Sequence, residues 1–342
     1  MNYPALHSAR PRAGNTAVLA LASLLSLSPT ALWACACGCG IFDVGAGTLM
    51  PTDAQSGISA WFRYATMDQN QNWEGSSKAS AADNADKKIS TSFYTVGAQY
   101  SITPSWMVMA EQPVYSRSLT TTDDGTVAGP AGSLYTGHIT DLGDLQVSAL
   151  YTGFTEDNST GISFGFKLPT GNYTGPTGPL GGSEFDRDTL PGTGSTDVMF
   201  GGYHVGALNE TGSLVYFIQA RYQVAFLDRD FYRPGNEFDA ALGVTYDFGE
   251  HGPLGKIAPL VQLIGSDRAR DSGANAAPLN SGYQRLLVAP GLELRFSQLR
   301  LYADIELPIY QYAHAASSPA VDGTAGQLVA SKLFKMQVAY DF

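Results

Sequence analysis

From residue 56 to the end of the chain, apolar and polar residues alternate with a period of two, in short runs separated by stretches rich in Gly, Asp, Asn and Ser. Twelve such runs predict strands at about 56–67, 92–102, 105–118, 143–153, 161–169, 195–206, 213–226, 237–248, 256–265, 285–296, 299–310 and 328–342. The connections between them alternate in length. Those at 68–91, 119–142, 170–194, 227–236, 266–284 and 311–327 are long, whereas 103–104, 154–160, 207–212, 249–255 and 297–298 are short. An even number of antiparallel strands with long loops at one end and tight turns at the other is the layout of a transmembrane β-barrel. The long loops are then extracellular and both termini periplasmic.

The two parities of each run carry different chemistry. In 285–296, Leu286, Val288, Pro290, Leu292, Leu294 and Phe296 share one face, and Arg285, Glu293 and Arg295 the other. In 299–310, Leu299, Leu301, Ala303, Ile305, Leu307 and Ile309 oppose Arg300, Asp304 and Glu306. Residues 213–226 put Ile218, Tyr222, Val224 and Phe226 opposite Gln219, Arg221 and Gln223, and 237–248 put Phe238, Leu242, Val244, Tyr246 and Phe248 opposite Glu237, Asp239 and Asp247. An Arg or Lys facing the middle of a bilayer costs about 2–4 kcal/mol, so this segregation is what folding in lipid demands. Residues 195–206 can be read in either parity. Trp106, Phe248, Phe296 and Phe342 lie near strand ends and suit interfacial girdles. The final FKMQVAYDF (Phe334 to Phe342) reads as a closing strand, with Phe342 the expected handle for the barrel-assembly machinery.

Composition agrees with this reading. Charged residues make up only 15% of the 342, Gly (38) and Tyr (18) are abundant, and beyond the leader no run approaches the ~18 apolar residues that a spanning helix needs. In lipid every backbone polar group must be paired within the protein, so a chain that spans without such helices does so as a closed barrel. His7, Arg10 and Arg12 precede an apolar core from Ala17 to Leu27, the layout of a secretory signal at 1–36. A Cys/Gly-rich periplasmic leader at 37–55 and a barrel at 56–342 follow. Removing the signal leaves 18 basic against 31 acidic residues, which argues against nucleic acid as a partner. The bilayer and a small-molecule solute are the partners expected, and no cofactor.

All three cysteines lie in CACGCG at the leader junction, so none is left for a disulfide within the barrel. The spacing is too tight for a four-ligand zinc site. Leu32-Trp33-Ala34 before Cys35 loosely matches a lipobox, which would make Cys35 a lipid anchor. Ala34-Cys35-Ala36 alternatively reads as a cleavage signal, leaving Cys37 and Cys39 for a soft metal such as Cu(I), for thiol–disulfide chemistry, or for neither.

The inward charges Arg221, Glu293, Arg295, Arg300, Asp304, Glu306 and Lys335 form the candidate lumenal site. They fit a structural ladder that fills a narrow barrel. They also fit a charged constriction that selects small polar solutes. No enzyme is expected. Among His138, His204, His251 and His314 no spacing suggests a Ser/His pair, and only His204, read near the outer part of its strand, is kept as a candidate. The string Asp68 to Gly75 faintly resembles a calcium loop, but Trp73 stands where such a loop needs glycine, and a solvated loop is expected.

Three stretches point further: TDLGDLQVSALYTGF (Thr140 to Phe154), FKLPTGNYTG (Phe166 to Gly175) and GTGSTDVMFGGYHVG (Gly192 to Gly206). Together they resemble the outer-membrane family associated with the meta-cleavage pathway of phenol degradation, over about 92–342. Their glycines are read as allowing positive φ at tight entries, and Asp141, Asp144 and Asp197 as satisfying backbone donors at the rim. The resemblance implies an outer-membrane transporter for small molecules, hydrophobic or aromatic ones included. The expected function is passive, non-enzymatic passage. The alternative is a scaffold barrel whose cysteine-bearing amino-terminus engages a periplasmic metal or redox partner.

Overall fold

The computed structural model describes residues 57–250, 252, 255–315 and 325–342. The predicted signal segment with Cys35, the leader with Cys37 and Cys39, and His251 lie outside the described residues. Among the described residues there are fourteen strands: β1 (Ile58–Glu74), β2 (Ser77–Lys78), β3 (Asp86–Thr103), β4 (Trp106–Thr122), β5 (Leu134–Leu142), β6 (Leu145–Tyr151), β7 (Thr160–Leu168), β8 (Thr196–Ala207), β9 (Leu214–Leu227), β10 (Glu237–Tyr246), β11 (Lys256–Arg268), β12 (Tyr283–Phe296), β13 (Leu299–Ala313) and β14 (Gln327–Asp341). β2 is a hook on β1, and β5 and β6 both pair with β4, as two halves of one barrel position interrupted at Gly143–Asp144. The result is a twelve-stranded antiparallel barrel. It is closed by β1 on β14, in a register that sets Trp61 opposite Ala339 and Tyr64 opposite Met336.

Burial follows the predicted parity. Along β3, Ile89, Thr91, Phe93, Thr95 and Gln99 are buried, while Tyr94, Val96, Tyr100 and Ile102 are exposed. The strand with two possible readings resolves as β8, with Asp197, Met199 and Tyr203 inward and Phe200 outward, 51% exposed. Gly201, Gly202 and Gly206 contribute nothing to either face there, so few side chains remain to mark the parity. The exposed apolar residues form the lipid belt. At the short-turn end they finish in aromatic pairs: Trp106 with Tyr151, Tyr246 with Phe248, and Tyr340 with Phe342, each with ring centroids 4.8 Å apart.

Two predicted loops are largely strand. β1 runs on to Glu74 and β3 begins at Asp86, where a loop at 68–91 was expected; β4 reaches Thr122, and β5 occupies Leu134–Leu142 within the expected loop 119–142. The Asp68–Gly75 string is therefore mostly strand and not a solvated loop. The physical reason is that the ladder continues where lipid stops. Outward positions here are hydroxylic or charged, with Ser116 on Thr140 and Thr120 on Thr136 at 2.9 Å and Lys88 on Asp68 at 3.2 Å, so the apolar alternation ends before the hydrogen bonding does.

The loop after β4 is organised by one carboxylate. Asp123 accepts the backbone N–H groups of Gly125 (2.7 Å), Val127 (3.2 Å), Ala128 (2.7 Å) and Gly129 (2.8 Å). Burial works to raise its pKa, but these four donors outweigh it and hold the value at about 2. A depressed folded-state pKa means that the stabilisation is complete above the ordinary 3.8 and is lost as pH falls through about 2. Protection of the amides of residues 125–129, relative to their intrinsic exchange, is therefore expected to hold from pH 7 down to about pH 4 and to fall progressively toward pH ~2, whereas Asp123→Asn lowers it throughout. Equal protection in the two proteins at neutral pH would refute the role of the carboxylate.

Candidate functional site

The long connection 169–195 between β7 and β8 folds into the barrel mouth. Its Phe185 and Leu190 join Ile89, Leu119, Ile139 and Leu328 in a buried apolar cluster, and Arg117 donates to Thr91 Oγ1 at 2.9 Å and to the Thr189 carbonyl. The base of this loop is tied by a knot of side chains. Lys167 Nζ lies 3.0 Å from Asp144 Oδ2, 3.2 Å from Asp197 Oδ2 and 3.1 Å from Ser195 Oγ. Asp144 also accepts Gly171 N (3.0 Å) and Thr193 N (2.9 Å), and Asp197 accepts Ser195 Oγ and Gln223 Nε2, each at 2.6 Å.

The knot brings together the three stretches that the sequence singled out; Gly175 and Gly194 have the expected positive φ, at 64° and 72°, but for three other glycines the reason is different. Gly143, Gly171 and Gly192 do not have positive φ. Their backbones stack against one another: a Cβ on Gly171 would lie 2.7 Å from Gly143 C and 2.8 Å from Gly192 Cα, and one on Gly192 would lie 2.6 Å from Gly171 O. Close approach of main chain to main chain is what requires glycine here. Asp144 satisfies backbone donors as expected. Asp141 accepts Leu142 N and the Asn172 amide, whereas the bonds of Asp197 go to side chains.

Under the loop lies a lumenal chamber of about 130 Å³, walled mainly from β4 to β10 and roofed by Asp188, Leu190, Pro191 and Thr193, with Tyr232, Pro234 and Gly235 of the next long loop. At about 10–15 Å³ per water, it has room for roughly ten waters or a solute of similar size. Charges of both signs line it in pairs. Arg63 meets Glu111 at 3.3 Å, with Trp61 Nε1 donating to the same carboxylate at 3.2 Å, and Arg221 meets Asp239 at 3.9 Å and donates to Gln146 at 3.1 Å. The remaining interior, from β1, β3 and β9 to β14, is filled by an apolar cluster that includes Phe93, Phe217, Leu260, Leu287, Tyr302 and Leu333.

The seven charges predicted for the lumen fall into three places. Arg221 borders the chamber. Asp304, Glu306 and Lys335 are buried against the apolar cluster: Lys335 Nζ lies 2.7 Å from Glu306 and 4.0 Å from Asp304, and Asp304 also accepts the Gln262 amide at 3.0 Å and the Tyr302 hydroxyl. Glu293 with Arg295 (3.3 Å) and Arg300 with Asp341 (3.3 Å) lie at the short-turn end, half open to solvent, and are not brought to the chamber. Sequence reasoning missed Arg63, Glu111 and Lys167. The signal was available: Phe62 and Tyr64 flank Arg63, and Phe164 and Phe166 fix Lys167 on the other parity of its strand.

His204 is not near the outer part of its strand. It lies three residues from the end of β8, beside the 208–213 turn, on the lipid-facing parity, where its ring bonds Thr160 Oγ1 (2.8 Å) and Tyr216 Oη (3.0 Å). Strand direction alone places it there, because β8 starts from a long loop and ends in a short turn. Among the described residues, no group of three or more His, Cys, Asp or Glu is placed to hold a metal ion.

An even-stranded closed barrel with an apolar outer belt and its buried charges turned inward defines an integral outer-membrane β-barrel protein of the bacterial kind. No family model and no curated protein matches the sequence. Among solved structures, the chain is similar in fold to an outer-membrane channel from Pseudomonas putida F1, with a TM-score of 0.62 and 13% identity over 87% of this chain and 100% of that one. More distant likenesses are the β-domain of the Bordetella autotransporter BrkA (TM-score 0.48, 10% identity, 84% and 100% covered) and the Ralstonia pickettii toluene transporter TbuX (TM-score 0.39, 8% identity, 88% and 94% covered).

Proposed function

We propose that the protein is a passive, non-enzymatic channel of the Gram-negative outer membrane, with its long loops outside the cell, that passes small molecules through the lumenal chamber. Loop 169–195 acts as its gate. The observation that carries this reading is a solute-sized chamber inside a closed barrel, roofed by a loop that hangs from one polar knot. Arg221 lines the proposed route together with Arg63, Glu111 and Asp239. Because the charges come as close opposite pairs, the wall has no single-sign ring and favours neither anions nor cations strongly. The resemblance of the three stretches to the meta-pathway family supports small aromatic compounds as the first solutes to test.

The test is single-channel current from the refolded barrel in a planar bilayer, compared with a variant in which residues 176–191, which include Asp188, Leu190 and Pro191 of the roof, are replaced by a short Gly/Ser linker. Small or infrequent steps are expected for the full chain and large, persistent ones for the shortened loop. Vesicles carrying the shortened variant should take up benzoate faster than protein-free vesicles. A correctly folded barrel that stays silent in both forms would overturn the channel reading.

A further inference from the structure

The underside of the gate loop contains a recognition site that is already filled. The Arg187 guanidinium carbon lies 5.0 Å from the ring centroid of Tyr173 and 4.6 Å from that of Tyr232, both within the ~6 Å over which a cation is held by an aromatic face. Its Nη1 donates to the Gly192 carbonyl at 3.3 Å and its Nη2 to the Thr193 carbonyl at 2.5 Å. Two rings and two carbonyls are what a planar, fork-shaped cation needs.

The site is built independently of its occupant. Tyr232 is buried and donates its hydroxyl to Asp271 at 2.9 Å, which in turn holds Gly235 N at 2.7 Å. Tyr173 takes a hydrogen bond on its hydroxyl from Arg229 at 3.3 Å. Gly194, at φ +72°, leaves the space open: a Cβ there would lie 2.9 Å from Arg187 Nη2 and 3.1 Å from the Tyr173 ring. Burial draws the Arg187 pKa down, while the nearby Asp230 and Asp144 carboxylates favour a cation at this position.

We propose that Tyr173, Tyr232 and the carbonyls of Gly192 and Thr193 form a binding site for a small guanidinium-type cation, and that Arg187 is its resident occupant in the closed channel. A solute carrying such a group exchanges with Arg187 and frees the stretch that roofs the chamber. This last step rests on the channel reading, whereas the site itself does not. As part of the same chain, Arg187 competes at a millimolar-scale effective concentration, so the native protein binds an outside cation weakly and a protein lacking this side chain binds it well.

The experiment uses methylguanidinium chloride as the probe, with saturation-transfer NMR on the refolded full chain in detergent micelles. Folding is confirmed by the heat-dependent electrophoretic shift of the barrel. Arg187→Ala is expected to bind methylguanidinium at least about tenfold more tightly than the native protein. Adding Tyr173→Leu or Tyr232→Leu should remove that gain, and methylammonium, which lacks the planar fork, should not reproduce it. If Arg187→Ala does not refold, Arg187→Lys serves instead, because an ammonium leaves the fork unfilled, and it too should outbind the native protein.

Binding by the Arg variant no tighter than native, or binding indifferent to the two tyrosines, overturns the site. The same proteins in a planar bilayer separate the two readings. Specific binding with no current from any variant sinks the channel and its gate but leaves the cation site standing; native current without binding to the Arg variant sinks the cation site alone.

Discussion

Replacing Lys335 with methionine is expected to lower the unfolding free energy of the barrel by about 3–5 kcal/mol, the largest loss for any single side chain considered. The ammonium is fully buried between Glu306 at 2.7 Å and Asp304 at 4.0 Å, and both carboxylates are themselves buried. Methionine matches the lysine stem in length but supplies no charge. Two carboxylates then face each other in an interior otherwise filled by Phe93, Leu287, Tyr302 and Leu333. Asp304 keeps the bonds from Gln262 and Tyr302, so the greater share of the cost falls on Glu306, which Lys335 meets at 2.7 Å. Adding Glu306→Gln should therefore restore a substantial part of the loss, because the uncompensated charge goes with it. Denaturant titration in lipid vesicles, followed by tryptophan fluorescence, provides the readout. A single-variant loss below about 1 kcal/mol would mean that the cluster is hydrated and no part of the packed interior.

Lys335 also marks what the sequence made legible. Its parity was readable because Phe334 and Met336 flank it, and the same rule placed Asp304 and Glu306 inward. Period-two alternation reports which face a side chain takes, and burial reproduces it along β3, β9, β10, β12 and β13. What alternation cannot report is which inward charges meet. Arg63 and Glu111 lie on strands separated by β3, and their 3.3 Å contact depends on the register of β1 and β4 against that strand. Nor can it see above the lipid. The outer parts of β1, β3, β4 and β5 exchange apolar residues for Ser, Thr, Lys and Asp while their ladders continue, so their sequence reads as loop. Loop 169–195 was legible only as a long connection. Its inward fold depends on Phe185 and Leu190 finding Ile89, Leu119 and Leu328, residues far apart in the chain.

The glycine stack tests whether that loop is a gate. Gly192→Ala inserts a methyl group 2.6 Å from Gly171 O and 2.8 Å from Gly171 Cα, and both obstacles are main chain held in place by the Lys167 knot. No side chain can swing aside, so the loop base must shift away from Asp144, which accepts Gly171 N and Thr193 N at this point. Overpacking of this kind costs about 1–3 kcal/mol. Borne by the closed state alone, that raises the ratio of open to closed channel on the order of 5- to 150-fold. The lipid-belt ladders do not pass through the stack, so the barrel should keep its heat-dependent electrophoretic shift while open time in a planar bilayer increases. Chymotrypsin should also begin to cut near Phe185, which is buried in the closed arrangement. Gly171→Ala should act in the same direction, because its Cβ meets the main chain of Gly143 and of Gly192. A folded Gly192→Ala barrel with native current and an uncut loop would show that 169–195 is a fixed plug, and the search for a route would then have to leave the chamber.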